Sequence, residues 1–156
     1  ESNLLYSKKD ANAKDIESAL SISQSTEFVS KKPEGIHSEI SQGGTNVSGG
    51  QRQRLSIARA IVRKPEIYIF DDSFSALDFK TDAKLREALA ASCKETKSTV
   101  LLVAQRISSI LHADQIIVLD EGKMVGKGTH AELMESCDVY QQIASSQLTK
   151  EELANV

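Results

Sequence analysis

Two apolar runs, IYIF (Ile67 to Phe70) and TVLLVA (Thr99 to Ala104), constrain the fold of this chain more than any other feature. Each is short, continuous and bounded by turn residues, a pattern that predicts strands buried on both faces of a sheet. Between them, Thr81 to Glu95 carries Leu85, Leu89 and Cys93 on one side, the spacing of an amphipathic helix. Upstream, Arg52 to Val62 has helical period, with Leu55, Ala58 and Ile61 or Val62 on one face, and ends at Arg63-Lys64-Pro65. Downstream, Gln115 to Leu119 predicts a third strand, turned by DEGK into a short fourth over Met124 to Lys127, and the rest is helical. Strands alternating with helices make βαβ units, so the expected fold class is α/β with a mainly parallel sheet.

Residues 1 to about 45 read differently: they are polar and rich in Ser, Lys and Glu. Ile16, Ala19 and Leu20 sit at helical spacing behind Asn12, the expected cap, and a shorter helix over Ser25 to Ser30 stops before Lys32-Pro33. PEGIHSEISQGG reads as an ordered loop. The net charge of −3 argues against a nucleic-acid partner, which draws a basic excess. Cys93 and Cys137 lack the spacing of a disulfide framework or zinc site and read as buried small hydrophobes. No run approaches the roughly 18 apolar residues that cross a bilayer. The chain opens on Glu1 rather than Met, and it reads as a piece of a longer protein.

Two short stretches carry chemistry. Ser48-Gly49-Gly50-Gln51 fits a capping box, with Ser48 as N-cap and Gln51 at the third helical position. A plain cap does not need two glycines, each about 1 kcal/mol worse than Ala in a helix. Bare glycines let an anion approach the free amides and the positive end of the helix dipole, so a phosphate site is the favoured reading. Asp71 and Asp72 close the Ile67 strand at its carboxyl end, where open α/β sheets bind ligands. One aspartate there could simply begin a turn; two suggest a hard cation such as Mg²⁺ and a water-directed carboxylate. Asp78 follows as the expected cap of the next helix.

Together these stretches resemble the nucleotide-binding domain of ABC transporters. VSGGQ (Val47 to Gln51) is similar to the family's signature motif, and QRQRLSIARAI to the helix behind it. IYIFD resembles Walker B, ending at Asp71, and SALD (Ser75 to Asp78) resembles the D-loop. SEISQGG (Ser38 to Gly44) is similar to the loop with which exporters touch their transmembrane domains, and ADQIIVLDEGKMVGKGTHAEL to the exporter ending. The resemblance implies a P-loop NTPase core with an attached helical subdomain. Residues 1–65 would be that subdomain, 66–148 the later part of the core, and 149–156 a tail. It implies ATP and Mg²⁺ as cofactors, with Asp71 on the metal and Val47, Ser48, Gly49, Gly50, Gln51 and Asp78 on nucleotide across a dimer interface. It also implies a place on the cytoplasmic face of the cell membrane.

The departures are as informative. The Walker A loop, GxxxxGK[ST], is absent, so the earlier half of the core is expected upstream of Glu1, and the chain alone is expected not to hydrolyse MgATP. Asp72 stands where the family places its catalytic glutamate, and Gln105 where it places the switch histidine. Asp is shorter than Glu by one C–C bond, about 1.5 Å, and a misplacement of about 1 Å already costs roughly a hundredfold in rate. Gln105 can donate to a phosphate oxygen but cannot take up a proton as imidazole does. His37, His112 and His130 read as surface residues rather than substitutes. The pair resembles the degenerate-site subunit of a heterodimeric ABC exporter, whose intact signature serves the ATP held by a second subunit. The rival readings are a soluble, non-transport ABC ATPase and a regulatory ATP-binding module.

Overall fold

Asn12 begins the first long helix as its position requires, accepting the Asp15 amide on its side chain at 2.9 Å. The computed structural model describes residues 1–148; the tail expected over 149–156 lies outside the described residues. Two compact units divide the chain, Glu1–Leu101 and Leu102–Val156.

In the first unit, α1 (Ser2–Leu5), α2 (Ala13–Ile22) and α3 (Thr26–Ser30) precede α4 (Gly49–Ile61). α4 begins three residues earlier than its apolar period shows, because the capping box lies ahead of the first apolar position. It buries Leu55, Ile57, Ala58 and Ile61, and α2 meets it with Ile16, Ala19 and Leu20. A fully buried aliphatic side chain contributes about 1.5–3 kcal/mol, so this seam is the main support of the helical part. Asp15 fastens its edge, with Lys64 Nζ at 2.6 Å and Lys8 Nζ at 2.9 Å. The hydrogen bonds from Lys64 and then Lys8 hold its carboxyl down at about 2.

Strand β1 (Ile67–Asp71) leads through α5 (Phe79–Thr96) to β2 (Thr99–Val103), and the two strands pair in parallel across this crossover. Tyr68 and Phe70 point inward from β1 and stack at 5.8 Å, and Phe74 meets Phe70 edge-on at 5.4 Å. Leu85, Leu89 and Cys93 of α5 are buried, as their spacing predicts. The expectation that β1 and β2 are buried on both faces fails. Ile67 and Ile69 are 61% and 69% exposed, and Val100, Leu101 and Val103 are open as well. The reason is local: β1–β2 is a two-stranded sheet, in which alternate residues of β1 are buried and none of β2 is.

The second unit contains β3 (Ile116–Asp120), β4 (Lys123–Gly128), α6 (His130–Ser136) and α7 (Asp138–Gln147). β3 and β4 form an antiparallel hairpin, with Asp120 opposite Lys123. Glu121 and Gly122 both take positive φ, 46° and 75°, as a two-residue hairpin turn requires. Ile116 and Val118 pack with Leu133, Cys137, Tyr140 and Ala144. His130 corrects its surface assignment: it is 5% exposed, and its Nδ1 lies 2.8 Å from the Tyr140 hydroxyl. The tyrosine gives the ring a polar partner inside the core. No helix among the described residues is long and apolar enough to cross a membrane.

Candidate functional site

The first turn of α4 is built by its own cap. Ser48 Oγ accepts the Gln51 amide at 3.2 Å, and the Gln51 side chain returns the bond to the Ser48 amide at 3.1 Å. The helical ladder then opens with the Arg52 amide on the Ser48 carbonyl, 2.8 Å. The Gly49 and Gly50 amides lie ahead of that bond, at the end where a helix presents partial positive charge. A Cβ on Gly49 would meet nothing within 4 Å, so this glycine keeps open space. Gly50 has a reason inside the chain: its Cβ would lie 3.0 Å from the Ala76 carbonyl oxygen.

That contact joins the capping turn to the loop after β1. Asp71 ends the strand, and Asp72 turns out of it with φ +46°, a left-handed conformation that non-glycine residues seldom adopt. Both carboxylate residues are exposed. Gly49, Arg52, Gln53, Asp71, Asp72 and Ala76 line one cleft of about 450 Å³. Of the Ser48–Gln51 stretch only Gly49 lines this cleft, with Arg52 and Gln53 of the same helix beside the two aspartates. Asp78 caps α5, accepting the Thr81 amide at 2.9 Å, and that bond holds its carboxyl below the ordinary carboxylate range.

Val47 is half-buried beneath the loop that precedes the signature. Gly44 takes φ +67° there, with Arg52 packed close, and Arg52 Nη1 donates to the Gly43 carbonyl at 3.1 Å. Asn46 pins the Ser38–Gly44 segment from within, receiving the Ser41 amide at 3.1 Å and donating to the Glu39 carbonyl at 2.8 Å. The predicted ordered loop is thus ordered by side-chain bonds to backbone, the usual substitute for a ladder. Gln105 belongs to the second unit, where its carbonyl accepts from Gln147 Nε2 at 2.9 Å.

The donor set suits a hard cation only in part. Asp71 and Asp72 offer carboxylate oxygens, and no cluster of three or more acidic, histidine or cysteine side chains exists among the described residues. Mg²⁺ fits such a pair, because it is held by one or two carboxylates and completes its shell with water and phosphate. Gln53 is the residue that sequence reasoning missed. It lies between the two stretches and bonds to both Asp72 and Ala76. Its signal was a polar residue on the helix face turned toward the aspartates, but period alone reads such a position as solvent-facing.

The architecture is that of a P-loop NTPase, an α/β core with helices attached. The ABC transporter family model matches residues 2–75. An uncharacterized ABC transporter ATP-binding protein of Mycobacterium bovis is 49% identical over 129 residues, covering 83% of this chain and 22% of that protein. One of Bacillus subtilis is 42% identical over 149 residues, covering 96% and 25%. The ABC multidrug transporter MDR2 of Trichophyton rubrum is 42% identical over 131 residues, covering 84% and 9%. A solved bacterial Atm1-family ABC exporter with ATP bound matches with a TM-score of 0.88 at 30% identity, over 96% of this chain and 26% of that one. The chain belongs to the nucleotide-binding domains of ABC transporters. It spans a quarter or less of the length of the curated relatives named here.

Proposed function

We propose that this chain serves, within its complete protein, as the ATP-binding and ATPase part of an ABC exporter whose own Walker B site is degenerate. One observation carries the reading: a closed capping box at the start of α4 leaves Gly49 in open space, beside a strand that ends in the exposed Asp71-Asp72 pair. Residues 1–65 act as the helical subdomain and 66–148 as the later part of the ATPase core. Two such domains meet head to tail, so that Ser48 to Gln51 address ATP held by a second subunit. Ser48 Oγ spends its lone pair on the Gln51 amide and keeps its proton for an external phosphate oxygen. Gly49 leaves the approach unobstructed.

On the chain's own side, Asp71 would hold Mg²⁺, and Asp72 would occupy the position that directs the attacking water. The metal, when bound, offsets phosphate charge. Asp72 is short for its task, and Gln105 in the second unit senses the γ-phosphate without a proton to exchange. Asp78 relays the state of one site to the other. The Ser38–Gly44 loop meets the transmembrane domains at the cytoplasmic face of the membrane. The similarity to a solved ABC exporter supports the exporter part of this reading.

The test is ATP turnover by the full-length protein, alone and with the candidate second subunit. Turnover that needs the mixed pair supports the reading. Robust turnover and transport by this subunit as a homodimer overturns it, as would strong MgATP hydrolysis by residues 1–156 alone.

A further inference from the structure

Gln53 spends both ends of its side chain on the loop after β1. Its Nε2 donates to the Asp72 carbonyl at 3.1 Å and reaches Ser75 Oγ at 3.5 Å. Its Oε1 accepts the Ala76 amide at 2.9 Å. The chemistry of the partners fixes the amide's orientation: a carbonyl can only accept, and a backbone amide can only donate. Ser75 Oγ adds a second donor to the same Asp72 carbonyl, at 3.1 Å. Three residues away on the same helix, a Cβ on Gly50 would stand 3.0 Å from the Ala76 carbonyl oxygen, admitted only if that carbonyl shifts by a few tenths of an ångström. The loop is therefore held by hydrogen bonds at the amide of Ala76 and at the carbonyl of Asp72, with Gly50 leaving room for the Ala76 carbonyl.

A simple surface glutamine explains none of this. The Asp72 backbone stands at φ +46°, a conformation that persists in a non-glycine residue only when its surroundings over-determine it. Gln53 supplies part of that determination from a different element. A residue so placed does more than fill a cleft wall: it sets where the Asp72 carboxylate and the Ser75–Asp78 turn stand relative to the capped turn of α4.

We propose that Gln53 is a positioning residue that locks the Asp72–Ala76 loop in register with the first turns of α4, so that the phosphate-facing turn and the Asp72 carboxylate move as one body. This rests on the ATPase reading above. Gln53 need not touch nucleotide; it acts through the residues that do.

The experiment is ATP turnover by the full-length transporter in its active pairing, for the wild type, Gln53→Leu and Gln53→Glu. Leucine keeps the bulk and removes both bonds, so turnover should fall about tenfold, the effect of losing two neutral hydrogen bonds, with KM for ATP within about twofold. Glutamate keeps the acceptor for the Ala76 amide at every pH, but it donates to the Asp72 carbonyl only when protonated. Relative to wild type at the same pH, Gln53→Glu should therefore be about tenfold low at pH 8 and recover markedly toward pH 6, its carboxyl being held neutral by the carbonyl and the nearby aspartates. A purely structural role would not restore activity by protonation. Turnover of Gln53→Leu within twofold of wild type overturns the proposal and leaves the ATPase reading standing. Equal losses for Gln53→Glu at both pH values overturn it as well, even if Gln53→Leu fails to fold. A wild-type transporter that neither binds nor hydrolyses MgATP overturns both.

Discussion

A methyl group on Gly50 would stand 3.0 Å from the carbonyl oxygen of Ala76, whereas one on Gly49 would stand in open space. The two glycines of the signature therefore answer to different demands. Gly49→Ala should leave the fold intact and raise helix stability by up to about 1 kcal/mol, since alanine is the better helix former. It should nevertheless lower ATP turnover, because the new methyl lies on the face open to phosphate. Gly50→Ala should instead destabilise, because a backbone carbonyl must give way and Gln53's loop moves with it. Thermal unfolding and turnover of the two variants, side by side, check the contrast.

Ser48 has two duties with different readouts. Ser48→Ala removes the cap and should cost about 1 kcal/mol of stability. It also removes the outward hydroxyl donor, and loss of one preorganised donor to a developing anion costs roughly a hundredfold or more in turnover. A larger side chain at Ser48 should abolish hydrolysis at the second subunit's site. Asp72→Asn should matter far less, because that carboxylate already falls short. Single-turnover hydrolysis in mixed pairs measures both, and a larger loss from Asp72→Asn would reverse the assignment of the two sites.

His130 predicts how the second unit responds to acid. Burial lowers the pKa of the ring below its ordinary 6.5, and His112 adds to the shift. The folded state therefore refuses a proton that the unfolded state accepts. Stability is full above about pH 6.5 and declines as the pH falls through and below that value. His130→Gln should flatten this slope between pH 7.5 and 5.5 at some loss of packing. Hydrogen exchange of the amides over Leu133 to Leu148 provides the local measurement.

Much of this was legible in the chain, for identifiable reasons. The Ser48/Gln51 and Asn12 caps were readable because capping is decided within four residues. The Leu85, Leu89 and Cys93 face was readable because helical period survives any tertiary context that buries one side. The exposure of Ile69 and Leu101 was not, since an apolar run states what a strand needs and not how many neighbours cover it. His130 was misread for the converse reason. A polar residue enters a core when a partner such as the Tyr140 hydroxyl is waiting, and that partner is ten residues away on another helix. Gln53 escaped because its bonds run to Asp72 and Ala76, about twenty residues on, which no local pattern encodes.

If the Walker B site is weak because of Asp72 and Gln105, restoring both side chains should strengthen it. Asp72→Glu extends the carboxylate by about 1.5 Å, the missing C–C bond, and Gln105→His returns a group that can accept a proton at physiological pH. The pair should raise ATP turnover by a homodimer of this subunit at least tenfold, since about 1 Å of alignment at a reacting centre is worth roughly a hundredfold and the left-handed backbone at Asp72 will absorb part of the gain. Neither change alone should do as much, because one aligns water and the other handles the proton and phosphate charge. Phosphate release from the single and double variants decides the matter. A double variant no faster than the parent would mean that the deficit lies elsewhere than in these two side chains, and the degenerate-site reading would fall.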